Sequence, residues 1–391
     1  MVDYMDNAKL CTKLSSLAKD DDPDIRELAT IALGNLGELS LPALEKLSRD
    51  AEWGVREATA TALGKVGKKS LPVLKKLAGD ADPDVRWAVA TSLGKVGGSG
   101  ALRILKKLSE DLNPDVRWAT ATSLGRIGPL SLPILEKLVM DDNTDVFRAA
   151  LISLRNIGDK AIPVLESLTN DSRSYIRWAA VIALGSMGEN AVPILQKISN
   201  DPDADIREAV AKALRNLGDN AVKPLERLTK DKNSEVRLAA VMSLGRINSS
   251  DSFRLLEKLV NDSNHEICRA SIIALGGVGS DALHVLKKLS NDPRIHVRRA
   301  SAVALGGHDS AAVPVLEKLS KDTEWSVREA AATSLGKVSG GEVMYPLQEL
   351  MRDSSIDVRR AALFALGKVR RDMAISALRT QAVEQPIPYK H

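Results

Sequence analysis

Asp82-Pro83-Asp84-Val85-Arg86-Trp87-Ala88 and, after three residues, Ser92-Leu93-Gly94-Lys95-Val96-Gly97 form the stretch that decides how this chain folds. Its arginine recurs at Arg26, Arg56, Arg86, Arg117, Arg177, Arg207, Arg237, Arg298, Arg328 and Arg359, and Phe147 and Cys268 stand in the two gaps. Twelve units therefore follow one another in steps of 30 or 31 residues. A fixed period of this length marks a repeat architecture in which each unit is one supersecondary element. The register never slips along the 391 residues, so the chain reads as one array, residues 1–391, without a linker.

Each unit reads as two helices. Leu71-Pro72-Val73-Leu74-Lys75-Lys76-Leu77 carries apolar residues three and four apart, the helical period. Proline in that first turn (Pro42, Pro72, Pro133, Pro163, Pro193, Pro314) loses no hydrogen bond and pre-sets φ. The second helix is expected to open at Asp82, a good N-cap, with Pro83 just inside, and to bury Val85, Ala88 or Val89, Leu93 and Val96 before stopping at Gly97. Helices of about 10–14 residues joined by short polar turns fit this spacing. One pair cannot bury its apolar stripe, so neighbouring pairs must stack into a continuous core. The expectation is an all-α solenoid of about twelve pairs. Residues 7–19 would supply a capping helix at one end and 372–383 at the other, followed by a frayed tail with Pro386, Pro388 and Tyr389.

The composition agrees. Aromatics are only 3% of the chain, which leaves Leu, Val, Ile and Ala to build the core. Lys plus Arg number 55 against 51 acids, a net +4 that is thinly spread for nucleic-acid binding. Cys11 and Cys268 are too few for a disulfide framework. The first residues, Met1 to Asp6, lack the basic and apolar regions of a signal peptide, and no apolar run reaches the length of a membrane span. These features point to a soluble, cytoplasmic protein.

The phrase Asp-Pro-Asp-Val-Arg-x-Ala-Ala, continued by Leu-Gly-x-Val-Gly, resembles the short HEAT-like repeats first described in phycobilisome lyase subunits. The likeness spans about residues 7–383. It implies a right-handed superhelix of HEAT-like helix pairs with the second helices on the concave side, and a ladder of Asp and Arg along the stack. On this resemblance the ladder acid is expected two places before the arginine, at Asp24, Asp84, Asp115, Asp145, Asp205, Glu235, Glu266 and Asp357. Gly54, Tyr175, His296 and Ser326 are then expected to interrupt it.

The second helix keeps an outward ridge opposite its core positions. All five tryptophans fall on it. Trp87, Trp118 and Trp178 follow the arginine, and Trp53 and Trp325 precede it by three, while Arg148 takes the corresponding place between Trp118 and Trp178. Thr91, Thr122, Ile152 and Ile182 lie further along, then Lys95 and Arg126. Two readings of this row stand side by side. In one, tryptophan covers the edge of the core. In the other it marks a binding stripe, since tryptophan and arginine are enriched at interface hot spots and solenoids bind on their concave surfaces. The candidate binding residues are therefore Trp53, Trp87, Lys95, Trp118, Arg126, Arg148, Ile152, Trp178 and Trp325. The favoured partner is a protein or peptide, which makes the chain an adaptor or scaffold for protein–protein interaction. Basic residues interleaved with aromatics offer nucleic acid as a second reading. A graded charge, acidic at Glu27 and Glu57 and more basic toward Arg299 and Arg360, would orient a charged partner.

Nothing in the sequence points to catalysis or to a cofactor. His265, Glu266 and His296 can approach one another with Cys268 nearby, but no pattern fixes three or four metal ligands. HEAT-repeat hydroxylases carry several His-Glu pairs, and this chain has one, His265-Glu266. His308 sits where other units have Val or Ile and reads as structural. The recurring Leu-Gly-x-Val-Gly lies at a helix end, where glycine caps, and is no phosphate loop. A bilin-lyase-like subunit or ligand carrier is a third reading, resting on the repeat signature alone.

Overall fold

The computed structural model describes residues 2–384 apart from 248 and 339; the expected tail at Pro386, Pro388 and Tyr389 lies outside the described residues. The chain forms two compact units, Met1–Met187 and Gly188–His391, and the described residues contain helices and turns without strands. In the first unit the helices are α1 Val2–Leu17, α2 Pro23–Gly34, α3 Leu41–Leu47, α4 Trp53–Val66, α5 Leu71–Leu77, α6 Pro83–Val96, α7 Gly98–Leu108, α8 Pro114–Ile127, α9 Leu132–Leu138, α10 Thr144–Ile157, α11 Ile162–Leu168 and α12 Ser174–Leu184. The second unit continues with α13 Val192–Ile198, α14 Ala204–Leu214, α15 Val222–Leu228, α16 Ser234–Ile247, α17 Ser250–Leu259, α18 His265–Leu275, α19 Leu283–Leu289, α20 Ile295–Leu305, α21 Val313–Leu319, α22 Trp325–Leu335, α23 Met344–Leu350 and α24 Ile356–Glu384. Each unit is an α-solenoid segment in which even-numbered second helices pack on one another and odd-numbered first helices cover them.

Most first helices are shorter than the period suggested, a seven-residue α segment preceded by a 3-10 turn such as Lys68–Ser70. The turn forms because Gly67 takes φ +85°, a conformation that strains any residue with a Cβ. The Ser70 hydroxyl and amide then both donate to the Gly67 carbonyl, at 2.6 and 3.0 Å. Pro72 follows at the second helical position. Second helices match their pattern better. Asp82 caps α6 by accepting from the Asp84 amide at 2.8 Å. Val85, Ala88, Val89 and Leu93 are buried, and Val96 is only half-buried. At the C-terminal end the expected separate helix over 372–383 does not exist: those residues prolong α24, a single helix of 29 residues. Gly367 leaves that helix unbroken.

The two glycines of Leu93-Gly94-Lys95-Val96-Gly97 have different jobs. Gly97, at φ +67°, ends the helix as expected. Gly94 lies inside it, and a Cβ there would come within 2.6 Å of Ser123 Oγ on the next second helix. Gly64 meets Ser92 and Gly125 meets Ser153 in the same way, and in the second unit Gly306 meets Ser334 and Gly336 meets Ala365. A glycine eight after the arginine thus receives the small residue six after the next arginine. This interlock lets neighbouring second helices approach closely, as small residues at a helix contact do.

The arginine makes the other recurrent connection. Arg86 donates from Nη1 to the carbonyls of Asp80 and Ala81 in its own inter-helix turn. From Nε and Nη2 it donates to both carboxylate oxygens of Asp111, in the turn of the next unit, at 2.7 and 2.9 Å. Arg26–Asp50, Arg56–Asp80, Arg117–Asp141, Arg207–Asp231, Arg298–Asp322 and Arg328–Asp353 repeat the geometry. The ladder acid is therefore the aspartate six before the arginine, present in all twelve units, and not the acid two before it. Consequently the units with Gly54, His296 and Ser326 keep their pairs through Arg56, Arg298 and Arg328, against expectation. The ladder breaks instead where the arginine is missing, at Phe147 and Cys268. Arg237 also reaches only the carbonyls of its own turn, Asp231 and Lys232, among the described contacts.

Candidate functional site

Residues one, five and nine after the arginine lie four apart and share one face of each second helix. In the first unit the first of these positions carries Trp87 on α6, Trp118 on α8, Arg148 on α10 and Trp178 on α12, four successive helices packed side by side. Trp118 is 40% exposed and Trp178 48%, Trp87 is half-buried and Arg148 is exposed. Trp53, at the N-terminus of α4, is 49% exposed. The tryptophans are thus neither core nor free: each is partly covered and partly open to solvent. The middle row is Thr91, Thr122, Ile152 and Ile182. Both threonine hydroxyls donate back to their helix, to the Trp87 and Trp118 carbonyls at 3.1 Å. Ile152 and Ile182 are 49% and 43% exposed. Lys95 and Arg126 end the face in the last turns of α6 and α8, where a cation complements the helix dipole. The structure therefore assembles eight of the nine candidate residues on one unit. Trp325 lies apart from them in sequence, on α22 of the second unit, 47% exposed.

The face carries charge on both rims. Asp84, Asp115 and Asp145, in the first turns of α6, α8 and α10, line the rim opposite Lys95 and Arg126. Toward α2 the face turns acidic. Burial, and after it the negative fields of Glu27 and Asp84, push the Glu57 carboxyl above the ordinary range. In the second unit the corresponding charges partly neutralise one another, since Arg299 reaches Glu329 at 3.7 Å and Lys212 reaches Glu208 at 2.6 Å. The basic end expected from Arg299 is weakened accordingly.

Two small clusters lie where the ladder arginine is replaced. At the first, the Phe147 ring meets Tyr175 edge-on, centroids 5.8 Å apart, and Arg173 lies over the same tyrosine. At the second, His265 and His296 stack with centroids 4.5 Å apart. The sequence places these two histidines within reach, and the fold brings them together. Their rings lie face to face, an arrangement that directs no common lone pairs at a metal, and the described residues hold no group of three His, Cys, Asp or Glu suited to one. Cys268, three residues after His265, is buried, donates to the Val260 carbonyl at 3.0 Å and has its thiol pushed up by burial. A buried neutral thiol is a packing residue and a poor nucleophile.

The repeat of paired helices, with its arginine clamp and glycine interlock, matches the family model for HEAT repeats over residues 41–125, 72–155, 104–185, 131–215, 191–276 and 282–367. The chain belongs to the HEAT-repeat family. No curated protein matches the sequence. Among solved structures, this HEAT-repeat chain is similar to the karyopherin Kap121p bound to the extreme C-terminus of the protein phosphatase Cdc14p, with a TM-score of 0.58 at 14% identity, over 93% of this chain and 50% of that one. It is similar to Kap121p bound to the SUMO protease Ulp1p, with a TM-score of 0.57 at 14% identity over 93% of this chain and 49% of that one. The structure of Kap121p bound to Nup53p scores 0.56, at 14% identity over 93% of this chain and 49% of that one. The HEAT-repeat chain spans about half the length of these karyopherin structures, and at such identity the likeness is one of fold. No helix among the described residues is long and apolar enough to cross a membrane.

Proposed function

We propose that this HEAT-repeat protein is a non-enzymatic adaptor that binds a protein or peptide segment along the second-helix face of its first unit, the concave side expected for such a stack. The observation that carries the reading is the register of partly exposed tryptophans: Trp87, Trp118 and Trp178, with Arg148 between them, occupy one position on four successive helices. Large rings held by packing on one side lose little further entropy when a partner covers the other, which is why Trp and Arg concentrate binding energy. Karyopherins of the same fold are bound to protein segments in their structures, which supports a protein or peptide partner.

Lysate capture with the wild-type chain beside a Trp87→Ala, Trp118→Ala, Trp178→Ala triple variant tests this, read by mass spectrometry and by the helical signal of both baits. A protein retained by the wild type and lost from a folded variant is the expected result. Identical captures would move the site off this face.

Nucleic acid is the second reading, carried by Lys95, Arg126 and Arg148 between the rings. The acidic rim of Asp84, Asp115 and Asp145 counts against a polyanion there, and absence of single-strand binding at low salt would end that reading.

A further inference from the structure

The outward strips of α6, α8 and α10 each begin with an acid. Asp84, Asp115 and Asp145 stand three residues before the position of Trp87, Trp118 and Arg148, and all three are exposed. Lys95 and Arg126 close the strips of α6 and α8, eight residues after the rings, and Arg155 stands one place earlier on α10; these are exposed as well. From Asp84 to Lys95 is eleven residues, or three turns. Acid, ring and cation therefore share one side of α6, with the two charges about 16 Å apart along it. Side by side, the helices present three parallel rows: an acidic edge, a band of rings backed by Thr91, Thr122 and Ile152, and a basic edge.

The helix dipole accounts for the sign at each end, since it favours acids in the first turn and cations in the last. It does not account for the charges being left unmatched. Among the described contacts the carboxylates of Asp84, Asp115 and Asp145 meet no cation, and Lys95, Arg126 and Arg155 meet no carboxylate. On the same face of the second unit charges do pair, Lys212 with Glu208 and Arg299 with Glu329.

An occupant complementary to this face has to offer three rows of its own. An extended strand has two side-chain directions, which alternate, so it cannot reach both edges and the rings together. An α-helix can, because its apolar stripe is flanked on each side by a separate row, as e and g flank a and d in a coiled coil. Its width of about 10–12 Å fits between the edges. The three steps from α6 to α12, at about 8–10 Å each, match a helix of about 16–20 residues.

We propose that the segment bound here is an amphipathic α-helix of a partner protein, with basic residues along one flank of its apolar stripe and acidic residues along the other. The basic flank lies on Asp84, Asp115 and Asp145, and the acidic flank on Lys95, Arg126 and Arg155. The stripe covers Trp87, Trp118 and Trp178. Turning the helix end for end exchanges its flanks, so the two edges also fix the direction in which it runs. This inference rests on the adaptor reading and names the chemistry of its partner.

Fluorescence anisotropy with labelled three-heptad peptides tests it, each peptide stapled into a helix on its outer face and kept dilute enough to stay monomeric. The first carries Leu at a and d, Lys at every e and Glu at every g. The second has the same composition with Lys and Glu exchanged in the middle heptad, so that neither flank has one sign. The third and fourth carry only Lys or only Glu on both flanks. The first is expected to bind the wild-type chain about tenfold or more tighter than the others at low salt, an advantage that shrinks as salt rises. A Lys95→Glu, Arg126→Glu variant should prefer the all-Lys peptide instead, a change of preference that loss of folding cannot produce. Equal binding of all four, tighter binding of a single-sign peptide to the wild type, or binding of none overturns the proposal. The adaptor reading is judged apart from it, by lysate capture with the tryptophan triple variant, and stands if capture needs the tryptophans while the peptides fail.

Discussion

Arg173 donates from Nε and Nη2 to the two carboxylate oxygens of Asp171, two residues before it, at 2.9 and 3.1 Å. Asp171 is a ladder aspartate whose partner from the preceding unit would stand at position 147, where the chain has phenylalanine. Asp292 and Arg294 repeat the arrangement after Cys268, at 2.9 and 3.0 Å. At the position of Arg173 and Arg294 the other units carry Asp, Asn, Glu or Ser. The carboxylate is thus supplied with a guanidinium from inside its own turn at both places where the ladder arginine is replaced.

Exchanging the two sources should therefore be tolerated. Arg173→Ala is expected to lower the melting temperature of the chain, since it leaves Asp171 without its bidentate partner. Adding Phe147→Arg to that variant should recover part of the loss, by re-forming the ladder geometry seen at Arg117–Asp141. Differential scanning calorimetry of the single and double variants checks it; a double variant no better than the single would show that Phe147 is held by its ring contact with Tyr175.

An intact rung should matter more than a surface ion pair. Arg86 and Asp111 have side chains only 16% and 10% exposed, and the guanidinium makes four hydrogen bonds. Arg86→Ala is expected to destabilise the first unit by about 2–4 kcal/mol, against at most about 1 kcal/mol for breaking the exposed Lys69–Glu38 pair. Denaturant unfolding of the two variants compares them.

The same rungs set the acid limit. Burial by itself raises the Asp111 carboxyl, but the Arg86 hydrogen bond, the Asn113 amide and the fields of Arg86 and Arg117 together hold it below the usual range. Asp231 and Asp353 are lowered chiefly by Arg207 and Arg328. A depressed carboxylate contributes stability above its unfolded pKa, and that contribution disappears as pH falls through the folded value. Stability should thus fall steeply below about pH 4. Asp111→Asn should flatten that fall in a pH series of melting temperatures.

His308 has the opposite character. It fills the position of Val96, Val338 and Val369; its Nε2 is buried without a hydrogen-bond partner among the described residues, and burial lowers its pKa. A histidine kept neutral in the fold makes stability drop as pH falls through the unfolded value, about 6.5. His308→Val should stabilise the second unit, and by more at pH 5 than at pH 8. Equal gains at both would remove histidine charging as the cause.

The period, the paired helices and the caps are legible because local chemistry repeats them: an arginine at ten of twelve positions spaced 30 or 31 residues apart, proline in the first turn, Asp82 and Gly97 at helix ends. The ladder acid is not, because Asp84 and Asp80 both lie close to Arg86 in sequence and only the packing of turns shows which carboxylate meets a guanidinium. A signal does exist: an aspartate six before the reference position in every unit, including the two that lack arginine. Gly94 is hidden for a related reason. In sequence it reads as one more helix-end glycine, whereas its role is set by Ser123 on another helix. The tryptophan row can be read from helical spacing alone. How much of each indole is covered depends on neighbouring helices, and no single helix encodes it.

Ladder rung and glycine interlock fail together at one step of the first unit. Phe147 replaces the arginine of α10, and Arg155 stands where the interlocking glycine would be. Every other join within that unit from α2 to α10 has both fasteners, one polar and one steric. The α10–α12 join keeps neither and is held by side-chain burial, a force that falls gradually as two surfaces slide, where a bidentate ion pair resists displacement over a fraction of an ångström. Within the first unit, bending is therefore expected to concentrate at the α10–α12 joint beside Trp178, while the joins from Trp53 to Trp118 are held against it by both fasteners.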